Sequence, residues 1–168
     1  MSLIREASAG YMTNLAARLF ARAIDDRLRC LGVSSGHLPV FFALANGGAL
    51  TQTALAQAAA IEQPTMAATL SRMERDGLIL RRPDPRDGRS ALIFLTPAAL
   101  EKARVVEEAV KSINERALAE LDEAARIAFL DALAKVVRSL EFAVGRAGSR
   151  QDDANGLRDI QAGASVPK

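Results

Sequence analysis

The sequence predicts a mainly α-helical chain that carries one small β-hairpin. Ala and Arg, which both favour helices, account for 33 and 18 of the 168 residues. Only 4% of the residues are aromatic and none is Trp, which argues against an all-β chain. Apolar residues recur at three- and four-residue steps along most of the chain, and the period changes only over residues 78–95. The length fits one domain, or one domain with an appendage.

The first two predicted helices cover residues 12–31 and about 34–46. Gly32 follows the last apolar residue of the first helix, where a left-handed residue commonly ends a helix. Ser34 or Ser35 can cap the second helix with its side-chain oxygen. The Asn-Gly-Gly sequence that follows breaks the helical pattern.

The next two helices are short and close together. Thr51 can cap an Ala-rich helix over 52–59, and a second helix covers 63–76. Pro64 suits the first turn of that second helix, and Gly77 suits the position just after its end. Two helices joined by so short a turn predict a helix-turn-helix unit.

The period of the apolar residues then changes from helical to strand-like. Residues 78–82 and 90–95 are two short apolar runs, and the residues between them, 83–89, are rich in Pro, Asp and Gly. This pattern predicts a β-hairpin with a long, charged tip.

Two further helices follow the hairpin. The first runs over 97–121 with Pro97 at its first position, and Asp122 can cap the second, which continues to about residue 144. Beyond Gly145 the chain becomes rich in Gly, Ser, Asp, Asn and Gln, so we expect a weakly structured tail over 147–168.

Composition and motifs exclude several classes of protein. A single Cys and a single His rule out an intramolecular disulfide and a His/Cys zinc cage, which favours a reducing compartment such as the cytoplasm. Residues 31–61 carry no Asp, Glu, Lys or Arg, but polar residues and glycines interrupt them, so no membrane span is predicted. No Gly-x-Ser-x-Gly, phosphate-binding loop or HExxH motif occurs. We therefore expect no enzyme, no metal and no cofactor.

The predicted order of elements is that of a winged helix-turn-helix with further helices at both ends. Residues 12–144 resemble the MarR family of bacterial transcriptional regulators. The most specific part is the stretch 62–79, which continues into Asp87-Gly88-Arg89, at the Asp-x-Arg position of the family's wing, and then into a closing Leu95-Thr96. The resemblance implies a protein that binds double-stranded DNA.

The helix predicted over 63–76 has two distinct faces. Winding it at 100° per residue places Met66, Thr69, Leu70 and Met73 on one side, where they can be buried. The other side is small at its start and basic at its end, which suits a helix that lies in a major groove. The candidate DNA-contacting residues are Gln63, Pro64, Thr65, Ala67, Ala68, Ser71, Arg72 and Arg75.

The hairpin tip supplies the second group of candidates, Arg86, Asp87 and Arg89. We expect Asp87 to pair with Arg89 and to hold it extended for a minor groove, whose negative potential favours Arg. In the resembling family the arginine of the Asp-x-Arg motif reaches the minor groove. The alternative is a solvated turn whose charges cancel.

Bulk charge does not explain DNA binding by this chain. The net charge of the whole chain is only +2, and residues 51–95 contain six Arg and five acidic residues. Affinity must therefore come from individually placed Arg side chains and backbone N–H groups. One departure from the family is Ala60, where relatives often have Gly; in a left-handed conformation Ala would cost about 1 kcal/mol.

The terminal helices predict a dimer. The resemblance implies a dimerisation region formed by residues 1–33 and 97–146 around a DNA-binding domain over 34–96. The apolar stripes of the terminal helices are too large to be left exposed, although an intramolecular three-helix packing is an alternative to a dimer. A homodimer would address a pseudo-palindromic operator with half-sites about 34–36 Å apart.

The resemblance also implies a small-molecule pocket where the dimer helices meet the DNA-reading domain. Candidate lining residues are Tyr11, Leu15, Arg18, His37, Phe41 and Phe42. Apolar walls with one or two polar groups suit an amphipathic or phenolic ligand, although each of these residues also fits an ordinary core or surface position. The predicted function is a homodimeric repressor that a small molecule releases from DNA. The alternative is a winged helix that binds protein and has no DNA site.

Overall fold

The computed structural model describes the backbone of residues 4–162 and the side chains of residues 4–143. Its described residues fall into two units, which divide after Ala117. The α-helices and strands, in chain order, are α1 (Ala9–Leu28), α2 (Leu38–Leu44), β1 (Leu50–Thr51), α3 (Gln52–Ala58), α4 (Gln63–Arg75), β2 (Ile79–Asp84), β3 (Asp87–Leu95), α5 (Pro97–Ala117) and α6 (Glu123–Ala162). Short 3-10 turns occupy Arg5–Ala7, Arg29–Leu31 and Ser35–His37.

Several helix ends are set by the residues that the sequence predicted. The Oγ1 of Thr51 accepts a hydrogen bond from the backbone N of Ala54 at 3.2 Å, and the Oδ1 of Asp122 accepts one from Ala125 at 2.8 Å. Gly32 and Gly77 have φ angles of 67° and 69°, the left-handed values that end a helix. These predicted caps are confirmed.

The first unit has one apolar core. Its residues come from α1, α2, α3, α4, the sheet and α5, so the helix-turn-helix and the hairpin share a single interior. The largest fully buried side chains are Leu28, Val40, Leu44, Leu55, Met66, Leu70, Met73, Leu78 and Ile93. Because α4 contributes three of these, its position is fixed by non-local packing.

The β structure differs from the predicted hairpin in two ways. The sheet has three strands in the order β1-β3-β2, and the two-residue strand β1 pairs antiparallel with β3, Leu50 opposite Ile93. A strand of two residues has no alternation for sequence analysis to detect. The tip is also shorter than predicted, because Asp84 already pairs with Asp87 in the ladder.

The last helix is longer than predicted. α6 continues to Ala162, whereas the sequence predicted a helix to about residue 144 and a weakly structured tail over 147–168. The two differ over 147–162, where the chain has glycines but no proline before Pro167, so no residue sterically stops a helix. Residues 163–168 of the predicted tail lie outside the described residues. Within 4–162, no helix combines the length and the apolar character that a membrane span requires.

Candidate nucleic-acid interface

The two faces of α4 are arranged as the sequence predicts. Met66, Thr69, Leu70 and Met73 are buried. Of the eight candidate contact residues, only Ala67 is half-buried. The exposed ones are Gln63, Pro64, Thr65, Ala68, Ser71, Arg72 and Arg75. The outer face of α4 is therefore a strip of small and polar side chains that ends in two arginines.

The N-terminus of α4 has no side-chain cap among the described residues. Glu62 occupies the N-cap position without accepting a hydrogen bond from the helix, and Pro64 has no N–H to satisfy. The N–H groups of Gln63 and Thr65 belong to the first turn, which has no acceptor within the helix. These two N–H groups point out of the N-terminus of α4 and favour an anionic oxygen there.

The two arginines on α4 have different partners. Arg72 donates from Nη2 to the Oγ1 of Thr69 at 3.4 Å, whereas the Nε of Arg75 lies 3.2 Å from the Oδ1 of Asp76. Asp76 therefore neutralises part of the charge of Arg75. Arg72 has no carboxylate partner within residues 51–95, all of which the structure describes.

The C-terminus of α4 is tied to the sheet and to α5. Glu74 pairs with Arg81 of β2 at 3.0 Å. The hydroxyl of Thr96 donates to the carbonyl of Gly77 at 2.8 Å and accepts from the N–H of Ala99 in the first turn of α5 at 3.2 Å. One hydroxyl thus joins the end of α4 to the start of α5, which explains structurally why a Thr closes the motif.

We use "wing tip" for residues 84–89. The predicted pairing of Asp87 with Arg89 is confirmed: the carboxylate accepts from the backbone N of Arg89 at 3.0 Å and lies 3.5 Å from its Nε. Asp84 repeats this arrangement with Arg86, at 2.9 Å to the backbone N and 3.6 Å to the Nε. The side chains of Arg86 and Arg89 are 85% and 95% exposed, so both guanidinium groups extend into solvent.

Sequence reasoning missed two residues of the wing. The side chain of Asp84 is only 6% exposed, although it lies at the tip of a hairpin. The guanidinium carbon of Arg82 lies 5.3 Å from the centroid of the Phe94 ring, within the range of a cation–π contact. The spacing Asp-x-Arg occurs twice in succession in the sequence, at 84–86 and 87–89, and could have indicated the first of these.

Two of the six predicted pocket residues line a cavity of the first unit. A cavity of about 380 Å³ lies between α2 and α5. Of the six predicted residues, Phe41 and Phe42 line it, and Tyr11, Leu15, Arg18 and His37 lie outside it. Its lining residues are Leu38, Phe41, Phe42, Ala45, Asn46, Leu100, Ala103, Arg104, Val106 and Glu107.

His37 has a structural partner that explains its burial. Its Nδ1 accepts a hydrogen bond from the backbone N of Ser34 at 3.3 Å, and the Ser34 side chain in turn accepts from the backbone of His37. This is a capping box with His in the place of Glu or Gln. Burial lowers the pKa of His37 below its ordinary value, and the positive charge of Arg72 lowers it further.

Comparison with known proteins supports one family. A sequence model of the MarR family matches residues 31–90. The chain is 29% identical to the Bacillus subtilis regulator YwoH, named as an uncharacterized HTH-type transcriptional regulator, over 71% of this chain and 86% of YwoH. The structure is similar to that of the Staphylococcus aureus MepR–DNA complex, with a TM-score of 0.70, 24% identity and coverage of 79% of this chain and 98% of MepR.

A second solved structure, that of the Streptomyces coelicolor regulator PcaV in complex with its natural ligand, gives a TM-score of 0.73 at 23% identity. The match covers 83% of this chain and 99% of PcaV. The fold is thus a MarR-type winged helix, mostly helical with a three-stranded antiparallel sheet. Residues 31–90 thus match the MarR family model, and the relatives and solved structures that resemble the chain are named transcriptional regulators.

Proposed function

We propose that this chain binds double-stranded DNA as a transcriptional regulator. The observation that carries the proposal is the combination of a small, basic outer face on α4 with a wing tip whose two arginines extend outward, each beside its own aspartate. A module that only binds protein needs neither feature. In this proposal α4 is the recognition helix and lies in the major groove, while the wing tip follows the adjacent minor groove.

The recognition helix can approach the bases closely because its outer face begins with small side chains. Ala68 and Ser71 leave room for the groove floor, and Arg72 is long enough to reach a guanine edge or a phosphate. The first-turn N–H groups of Gln63 and Thr65 suit a phosphate oxygen. Arg75 contributes less than Arg72, because Asp76 already shares its charge.

We further propose that the chain works as a homodimer on a pseudo-palindromic operator. Each unit leaves apolar side chains uncovered: Tyr11, Met12 and Leu19 on α1, and Leu130 and Leu140 among others on α6. Large apolar surfaces of this kind are usually covered by a partner. Regions 1–33 and 97–146 would supply that contact, and residues 34–96 would bind DNA.

The cavity between α2 and α5 supports regulation by a small molecule. Phe41 and Phe42 form apolar walls, and Asn46, Arg104 and Glu107 add polar groups, which suits an amphipathic or phenolic ligand. PcaV is a regulator of this fold with a bound ligand. We propose that ligand binding in this cavity releases the chain from DNA, so that the regulator is a repressor in the bacterial cytoplasm.

The test is selection of bound duplexes from a random DNA pool, followed by titration of the selected duplex at several salt concentrations. We expect enrichment of a two-fold symmetric sequence. The logarithm of affinity should fall with the logarithm of salt concentration, by about 0.9 for each phosphate neutralised. Absence of enrichment together with a flat salt dependence would favour the protein-binding alternative.

A further inference from the structure

Asp84 is an unusual residue for the tip of a hairpin. Among the residues whose side chains are described, the buried polar ones are His37, Thr69 and Asp84. A carboxylate is costly to bury unless it is hydrogen-bonded and paired. Asp84 has both kinds of partner, and both belong to Arg86.

The two Asp-x-Arg units of the wing tip share their bonding but differ in exposure. Asp84 is 6% exposed and Asp87 is 51% exposed, while the arginines of both units are almost fully exposed. Pro85 fixes the backbone between Asp84 and Arg86, so that the hydrogen bond from the Arg86 N–H to the carboxylate forms within a turn that is already restricted. The first unit therefore presents its cation outward and keeps its anion inside.

This asymmetry matters beside a polyanion. An exposed carboxylate next to DNA repels phosphate, whereas a buried one leaves only the guanidinium facing the duplex. With the Nε of Arg86 next to Asp84, its two terminal nitrogens remain free to donate two parallel hydrogen bonds to one phosphate group.

We propose that Asp84 is a positioning residue that holds Arg86 against a phosphate of the DNA backbone, so that the wing contacts DNA through two arginines. This inference rests on the proposed DNA-binding function. Asp84 touches no DNA itself and acts through Arg86. Arg89, with its more exposed aspartate, remains the arginine for the minor groove.

The experiment is a double-mutant cycle on the selected duplex, with Asp84→Ala, Arg86→Ala and the double variant. We expect Arg86→Ala to weaken binding about tenfold and Asp84→Ala about threefold to tenfold, and the double variant to match Arg86→Ala alone. Arg86→Ala should also lower the salt slope by about 0.9, equally on selected and unrelated duplexes.

Two further variants separate positioning from folding. Asp84→Asn keeps an oxygen that can accept from the Arg86 N–H but loses the charge, so it should fall between wild type and Asp84→Ala in affinity, with a thermal midpoint close to wild type. Asp87→Ala serves as the matched control, because its effect on binding should persist in the Arg86→Ala background.

Two results would overturn the inference. The first is an Asp84→Ala effect of equal size with and without Arg86, which would make Asp84 a purely structural residue. The second is wild-type affinity in Asp84→Ala and Asp84→Asn alike. Neither result contradicts the proposed DNA-binding function as long as the wild-type protein binds its selected duplex. A wild-type protein that binds no duplex would overturn both the proposed function and the inference about Asp84.

Discussion

Helix α4 and the wing tip hold their outward side chains by different means. α4 is fixed by burial of one face, with Met66, Leu70 and Met73 in the shared core. The wing tip is held by local bonds, in which Asp84 and Asp87 each accept from a backbone N two residues later. The helix is thus placed by long-range packing, and the wing tip by chemistry within six residues.

Substitutions in the two regions should therefore affect stability and DNA affinity differently. A change that disturbs the packing of α4 should lower both the free energy of unfolding and the affinity for DNA, because the same core holds both. A change at Arg86 or Arg89 of the wing tip should lower affinity alone, since these two side chains are exposed and contribute little to stability. Four predictions test this separation.

The largest effect is expected at the wing. Arg89→Ala should weaken binding to the selected duplex by about 1–3 kcal/mol, with the loss concentrated on duplexes that have an A·T-rich flank and a narrow minor groove. The free energy of unfolding in urea should stay within about 0.5 kcal/mol of wild type, because the side chain is 95% exposed. Titrations of wild type and Arg89→Ala against the selected duplex and against a duplex with a substituted flank measure the loss of affinity.

Two variants serve as controls for Arg89→Ala. Arg116→Ala removes the same charge from an exposed position near the end of α5 and should leave affinity almost unchanged. Arg72→Ala should weaken binding through α4, either by changing the preferred central bases or by weakening all sequences alike. Wild-type affinity of Arg89→Ala on both duplexes would show that the wing does not read the minor groove.

The second prediction concerns the hydroxyl that joins α4 to α5. Thr96→Val keeps the shape of the side chain but loses the bond to the Gly77 carbonyl and the cap on Ala99. Unfolding in urea should show a loss of about 1–2 kcal/mol. Thr96→Ser keeps the hydroxyl and should recover most of that loss, and equal losses in the two variants would contradict the role of the hydroxyl.

The sequence predicted the features that local chemistry determines. The buried and exposed faces of α4, the Thr51 cap and the Asp87–Arg89 pair all follow from residue type and spacing, and the structure contains them. The strand β1 was missed because two residues paired with β3 carry no periodic signal. The burial of Asp84 was missed because burial depends on what surrounds the tip.

The cavity between α2 and α5 shows the same limit. Phe41 and Phe42 were predicted as lining residues from the resemblance to the MarR family, and both line the cavity. Arg104 and Glu107 were not predicted, because their position opposite α2 depends on how α5 packs. Sequence spacing identifies residues on one helix face, but it does not identify the residues of another helix that lie across from them.

The third prediction uses two helix ends with the same hydrogen bonds. After α3, Ala60 and Ile61 donate to Gln57 and Ala56, and after α4, Gly77 and Leu78 donate to Glu74 and Met73. Both motifs place one residue at positive φ, 50° at Ala60 and 69° at Gly77. Ala60 therefore adopts the left-handed conformation for which a cost of about 1 kcal/mol is expected.

Ala60→Gly should raise the free energy of unfolding by roughly 0.5–1 kcal/mol, because the relief of strain exceeds the added flexibility of the unfolded chain. Gly77→Ala should lower it by about 1 kcal/mol, and through strain alone, since a Cβ at that position meets no atom within 4 Å. Urea unfolding of Ala60→Gly and of Gly77→Ala measures the two changes in the free energy of unfolding. A destabilised Ala60→Gly would mean that the turn depends on the Ala side chain.

The smallest effect is expected from the single histidine, which lies beside α4 and far in sequence from the wing. His37 accepts the Ser34 N–H through Nδ1 only when that nitrogen is unprotonated, and burial together with Arg72 lowers its pKa below 6.5. The negative charges of Asp76 and Asp25 act in the opposite direction but do not outweigh burial. The folded state therefore binds a proton less readily than the unfolded state does.

The sign of the pH dependence follows from the lowered pKa of His37 in the folded state. The stability contributed by neutral His37 is fully present above pH 6.5, the ordinary pKa, and is lost as the pH falls from 6.5 through the lowered pKa of the folded state.

His37→Gln keeps a side chain suited to the capping box and cannot titrate, so its free energy of unfolding should change less than that of wild type between pH 7.5 and 5.5. Because His37 is the only His in the chain, the difference between the two curves isolates its contribution. Parallel curves would show that His37 takes up its proton without leaving the capping box. Arg89→Ala should show the same pH dependence as wild type, since Arg89 bonds to Asp87 and takes no part in the capping box of His37.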